Sequence, residues 1–110
     1  NKKINFFKIK KNVNLIKGEF KDTMKNKKNL PNKISAGLID CDLYDGYKIS
    51  LENFWPRLSV NGKLFLDEYY SLKFPGPRLY CEHFLRKNGI KINKEVKIKG
   101  DFPRYFISKN

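Results

Sequence analysis

The chain has 110 residues, with 24 Lys or Arg against 11 Asp or Glu, for a net charge of +13. Its composition, 40% hydrophobic and 15% aromatic, is that of a globular protein, and its length allows one domain (1–110) but not two. No apolar run is long enough to cross a bilayer as a helix, and the basic excess is scattered Lys without the Arg clusters and aromatic platform of a nucleic-acid binder, so neither a membrane nor a nucleic acid is an expected partner.

In chain order, "NKKINFFKIKK" (1–11) reads as the end of a helix, with Ile4 and Phe7, and less regularly Phe6 and Ile9, on an apolar side. "NVNLIKG" (12–18) reads as a short strand that stops at Gly18. The stretch 18–26 is a loop or one helical turn, and Pro31-Asn32 punctuates the approach to the next element. "ISAGLID" (34–40) is apolar without alternation, which predicts a strand covered on both faces, as in a parallel sheet. "GYKISLENFWPRL" (46–58) carries Tyr47, Leu51, Phe54 and Trp55 at helical spacing, with Trp55 in the core and Pro56 as the stop. Asn61-Gly62 reads as a turn, and Lys63 to Leu66 as a strand ending at Asp67 and Glu68. "PGPRLYCEHFLRKNG" (75–89) predicts a helix, with Pro77 in its first turn, His83 in a structural role and Gly89 at its end. "KEVKIKG" (94–100) and "RYFISKN" (104–110) alternate cleanly and predict a closing antiparallel pair, turned around Gly100, Asp101 and Pro103.

The middle of the chain is thus a strand–helix–strand unit, which is right-handed and parallel in nearly all proteins. In open parallel sheets ligands bind beyond the carboxyl ends of the strands. Asp40 and Asp42 lie at one such end, and Asp67 and Glu68 at the next. Neighbouring strands run about 4.8 Å apart, so Asp40, Asp67 and Glu68 are expected to converge. Carboxylates that close repel one another, and a hard divalent cation such as Mg²⁺ removes the conflict. Asp42, two residues past Asp40, is placed to take a proton from a substrate hydroxyl. Taken singly, each acid also suits a helix cap or turn, and Asp45 before Gly46 suits a turn well.

Cys41 and Cys81 belong to no zinc-binding spacing, and two cysteines make no disulfide framework, so a reducing cytoplasm is the expected location. Between two acids, the Cys41 thiol is expected to have a raised pKa.

The residues "LIDCDLYDGYKISLENFWPRLSVNGKLFLDEYYSLKFPGPR" (38–78), together with "LIKGEFKDT" (15–23), resemble the macrocin O-methyltransferase family of class I S-adenosylmethionine-dependent enzymes. The likeness runs over roughly 13–107. It implies an α/β, Rossmann-like class I methyltransferase sheet, of which this chain is the carboxyl-terminal half, strands 3 to 7 of an order resembling 3-2-1-4-5-7-6. It also implies transfer of a methyl group from S-adenosylmethionine to a hydroxyl of a sugar or glycoside, with Mg²⁺. By family pattern Asp40, Asp67 and Glu68 are metal ligands, although the family often has Asp at the position of Glu68. Asp42 is then the general base, Phe20 and Asp22 lie on the adenine side of the cofactor, and Tyr69, Tyr70 and Arg78 face the acceptor.

The departure from the family is the missing glycine-rich turn: Gly18 is the only glycine in the first 36 residues. The chain begins with Asn1, as though more sequence preceded it. Without two central strands, an apolar strand would be left with an open edge. The fragment is therefore expected to be inactive alone, and to be unstable, repaired by another chain (a homo-oligomer included), or rearranged so that 12–17 pairs with 34–40. A basic nucleic-acid-binding domain and a non-catalytic protein-interaction domain are the alternative readings.

Overall fold

In the computed structural model, residues 2–3, 10–71, 73–95, 99–100 and 103–110 are described. Ile4, Phe6, Phe7 and Ile9, on which the predicted N-terminal helix end rests, lie outside them, as do 96–98 of the predicted strand 94–100.

A single helical turn, α1 (Phe20–Thr23), is closed by bonds from both the backbone N–H and the hydroxyl of Thr23 to the carbonyl of Glu19. Then follow β1 (Ile34–Ile39), α2 (Tyr44–Phe54), β2 (Leu58–Leu66), α3 (Pro75–Asn88), β3 (Asn93–Glu95) and β4 (Arg104–Ser108). β1 and β2 are parallel, as the strand–helix–strand reading requires, with Leu38 opposite Phe65 and Ile39 opposite Leu66. β4 is antiparallel to β2, β3 is antiparallel to β4, and the sheet order is β1-β2-β4-β3. This is the 4-5-7-6 run of the expected order, so the chain forms a partial Rossmann-like fold.

Strand 12–17 does not form. A short 3₁₀ turn at Lys10–Asn12 leads into irregular chain, with Leu15 68% and Ile16 47% exposed, and neither pairs with β1. A strand is stabilised by its neighbours, and without one water satisfies its backbone groups as well. β1 is consequently an edge of the described sheet.

Both long helices lie on one side of the sheet. Tyr47 and Leu51 of α2 and Tyr80, Cys81, Phe84 and Leu85 of α3 pack with Ile39, Leu64, Leu66 and Ile107 into one core. The alternate residues Leu38, Phe65 and Phe106 are cross-strand neighbours on the other side, with Leu38 61% exposed. The prediction that both faces of β1 are covered is therefore corrected: no described helix lies over this second face. The whole chain exposes 8608 Å², where a compact monomer of its mass exposes about 6300 Å².

α2 starts at Tyr44 rather than near Gly46, which puts Asp45 in its first turn, where a negative charge suits the helix dipole. Trp55 falls just past α2 in a 3₁₀ turn, half-buried, with its ring edge-on to Phe84. α3 opens on Pro75 and closes on Gly89 at φ 63°, the left-handed conformation glycine adopts without strain, with Ile90 N–H bonded to Leu85 O at 2.9 Å.

The Asn61-Gly62 pair does not separate two elements. Asn61 has the left-handed φ of 63° expected of a turn, yet β2 runs through it as a bulge that shifts its register against β1. A Cβ on Gly62 would lie 2.8 Å from the Ser59 carbonyl oxygen and 2.8 Å from a Leu58 methyl. Gly62→Ala is expected to cost about 1–3 kcal/mol of stability, read from the urea unfolding midpoint.

Candidate metal centre at two strand ends

The last rung of the parallel ladder sets the site. Asp67 N–H donates to Ile39 O at 3.1 Å, so Asp40 and Asp67 leave the sheet side by side. One carboxylate oxygen from each of Asp40, Asp67 and Glu68 lies within 4.8 Å of the others. Asp40 and Asp67 are exposed and Glu68 is half-buried. The ion pairs Lys21–Glu19, Lys48–Glu52 and Arg78–Glu82 use other acids, so these three repel without a salt-bridge partner among the described residues.

The donor set suits Mg²⁺. It is all hard oxygen, anionic, and gathered on short spans of backbone fixed by the sheet. Oxygens sharing one Mg²⁺ at about 2.0–2.1 Å stand roughly 3–4 Å apart, a distance reached by small rotations of the exposed Asp40 and Asp67 side chains toward the half-buried Glu68.

Asp42 stands apart from this trio, exposed, between β1 and the start of α2. It is not a helix cap, because the N-cap position belongs to Leu43 and no side chain bonds there. Next to it, the half-buried Cys41 thiol is pushed up to about 11, first by burial and then by the charges of Asp42, Asp40 and Glu68, while a hydrogen bond with Ser50 opposes the shift. The expected direction holds, but burial rather than the flanking acids is its main cause. Cys81 is buried and is likewise pushed up to about 12. Both thiols are free. A thiol reagent at pH 8 is expected to label Cys41 about 100-fold more slowly than an unperturbed cysteine, with the rate rising up to pH 11. The neutral thiol is the form the fold favours, so this contribution to stability is present below the unfolded pKa and is lost as pH rises through 11.

Tyr69, Tyr70 and Arg78 do come together. The Arg78 guanidinium lies 4.4 Å from the Tyr70 ring centroid and 5.8 Å from that of Tyr69, and Tyr70 stacks on Tyr105 at 4.6 Å. Tyr69 is buried and its hydroxyl donates to Glu82 at 2.7 Å, so it belongs to the core, whereas Tyr70 is 51% exposed. Glu82 and Tyr105 were not singled out in the sequence. Glu82 was legible as the i+4 acid to Arg78, whereas Tyr105 meets Tyr70 only through the β-sheet.

Phe20, on α1, lies 3.9 Å from where a Cβ on Gly46 would stand, beside Cys41. Asp22 is exposed on the same turn and is not part of the acid trio. His83 is exposed in a groove of about 410 Å³ between α2 and α3, among Tyr44, Lys48, Trp55, Tyr80 and Phe84, and none of the predicted site residues lines that groove.

No described helix is long and apolar enough to cross a membrane. No curated protein matches the chain by sequence. Among solved structures, the O-methyltransferase NovP is similar at 24% identity and a TM-score of 0.65, over 82% of this chain and 34% of its own. CalS11, a TDP-rhamnose 3'-O-methyltransferase of calicheamicin biosynthesis, is similar at 21% identity and a TM-score of 0.67, over 86% of this chain and 40% of its own. A second CalS11 structure gives 21% identity and a TM-score of 0.69, over 86% and 36%. The chain thus spans between a third and two fifths of the length of these proteins, and the likeness concerns the fold. The pattern of the macrocin-O-methyltransferase (TylF) family matches residues 3–102, nearly the whole sequence, and the chain belongs to that family.

Proposed function

We propose that this chain is the metal- and acceptor-binding portion of a Mg²⁺-dependent, S-adenosylmethionine-dependent O-methyltransferase acting on a sugar or glycoside hydroxyl. The observation that carries the reading is the convergence of three carboxylate oxygens within 4.8 Å at the ends of two parallel strands, in a chain of net charge +13 that spends none of its described ion pairs on them. Family membership supports the reaction class, and the likeness to CalS11, a TDP-rhamnose 3'-O-methyltransferase, supports a sugar acceptor.

In this reading Asp40, Asp67 and Glu68 hold Mg²⁺. The ion supplies positive charge that lowers the pKa of an acceptor hydroxyl. Asp42, exposed and outside the trio, takes the proton of that hydroxyl. Tyr70 offers a ring face to the acceptor, Tyr69 supports it from the core, and Arg78, held over the Tyr70 ring, offers its N–H groups to an anionic part of the acceptor. Two free thiols accord with a reducing cytoplasm.

For S-adenosylmethionine the residues present make one side of a site only. Phe20 and Asp22 are exposed, and the 110 residues contain no glycine-rich turn after a strand. The chain alone is therefore expected to bind Mn²⁺, displaceable by Mg²⁺, and to methylate no sugar. Titration with Mn²⁺ followed by electron paramagnetic resonance tests the first statement, and no binding at millimolar concentration removes the metal. Label transferred from S-adenosylmethionine to a sugar by the chain alone removes the second.

A further inference from the structure

Tyr47 sits on the inner face of α2 and is fully buried. Its ring packs in the core, a task that Phe performs without burying a hydroxyl. The hydroxyl nevertheless both donates and accepts. It donates to Ile39 O at 3.0 Å and accepts from Glu68 N–H at 2.9 Å. Ile39 is the residue before Asp40, and the same carbonyl also accepts from Asp67 N–H at 3.1 Å. One oxygen atom on a helix therefore joins the backbone on both sides of the acid trio: the end of β1 through Ile39 and the exit of β2 through Glu68. Burial holds the phenol far above its ordinary range, so it remains a donor at every working pH.

We propose that Tyr47 is a positioning residue, whose hydroxyl fixes Asp40 against Asp67 and Glu68 by tying the two strand ends together. The ladder bond from Asp67 to Ile39 sets the spacing of the two aspartates, and Ser71 N–H donates to Glu68 O at 3.1 Å within the turn, but neither bond ties Glu68 to the end of β1. The Tyr47 hydroxyl supplies that tie. Three charges held close while they repel need such a restraint, because repulsion otherwise opens the gap that a cation must bridge. The functional part of this inference rests on the acids being a metal centre, and the structural part does not.

The test is Tyr47→Phe, which keeps the ring and deletes one oxygen. Three readouts are taken on wild type and variant: Mn²⁺ affinity by electron paramagnetic resonance, amide exchange of Asp67, Glu68 and Leu64 by NMR, and the unfolding temperature. The expected result is Mn²⁺ affinity about 10-fold to 100-fold weaker, with faster exchange at Glu68 and unchanged exchange at Leu64, inside the paired part of β2. Unchanged Mn²⁺ affinity, whatever the unfolding temperature does, overturns the proposal and leaves the metal centre standing. If the wild type binds no Mn²⁺, the metal reading fails by itself. Positioning is then judged by NMR relaxation dispersion, with millisecond motion at Asp40, Asp67 and Glu68 in the variant alone supporting it and identical dynamics overturning it.

Discussion

Changing Asp40 and Asp67 together to Asn is expected to abolish the proposed divalent-cation binding while the fold survives. Two of three anionic donors are lost, and the remaining Glu68 offers one carboxylate to an ion that stays strongly hydrated unless several oxygens replace its waters. The expected loss is at least about 100-fold in Mn²⁺ affinity, read by paramagnetic resonance or calorimetry. Both side chains are exposed and neither has a salt-bridge partner among the described residues, so nothing in the core is disturbed. Without metal, the variant is expected to unfold at the same temperature as wild type or higher, since two of three mutually repelling charges are gone. Lower stability together with lost binding would instead make these acids structural. Retained binding would place the metal elsewhere.

The second large effect concerns the core that holds those acids. Leu64 is fully buried within β2, with Gly37 and Ile107 as its register partners on the two neighbouring strands. A Cβ on Gly37 would stand 2.9 Å from a Leu64 methyl, so the leucine fills the space that the glycine leaves. Leu64→Ala opens a hole that neither neighbour can close, because both are pinned by ladder bonds. The expected cost is about 3–5 kcal/mol, against a total stability of about 5–15 kcal/mol for an ordinary domain. Thermal unfolding followed by circular dichroism is expected to show a midpoint lowered by about 10–30 °C. Leu38→Ala, one strand away and 61% exposed, is expected to change stability by no more than about 0.5 kcal/mol.

The elements most legible in the sequence were those whose signals are local. α3 is bracketed by Pro75 and Gly89, and its left-handed stop needs only one glycine. The acids were legible because they end two apolar runs, and parallel pairing then brings them together without further information. The segment 12–17 has strand composition but no strand, because β-structure is decided by a neighbour that its own residues do not encode. Asn61 shows the same limit from the other side: its backbone conformation was foreseen, while its place inside a bulged strand depends on β1 and on the bond from Asn61 N–H to Lys109 O. Tyr47 was legible as one of the residues at helical spacing, yet its hydroxyl gave no signal, since its two partners are backbone groups eight and twenty-one residues away. Tyr69 and Tyr70 are adjacent and identical in sequence, and strand exit geometry alone sends one into the core and the other outward.

The uncovered sheet face has a calorimetric consequence. Leu38 stays wet in the folded chain and Phe65 and Phe106 are only half-buried, so unfolding brings less new apolar surface into contact with water than it does in a domain of equal length with two covered faces. The heat-capacity increment is then expected below the usual value of about 12–15 cal/mol/K per residue. A smaller increment bends the stability curve less, so the stability this chain has is spread over a wide range of temperature. Any partner that settles on Leu38, Phe65 and Phe106 would announce itself by a negative heat capacity of binding, whatever the sign of its enthalpy.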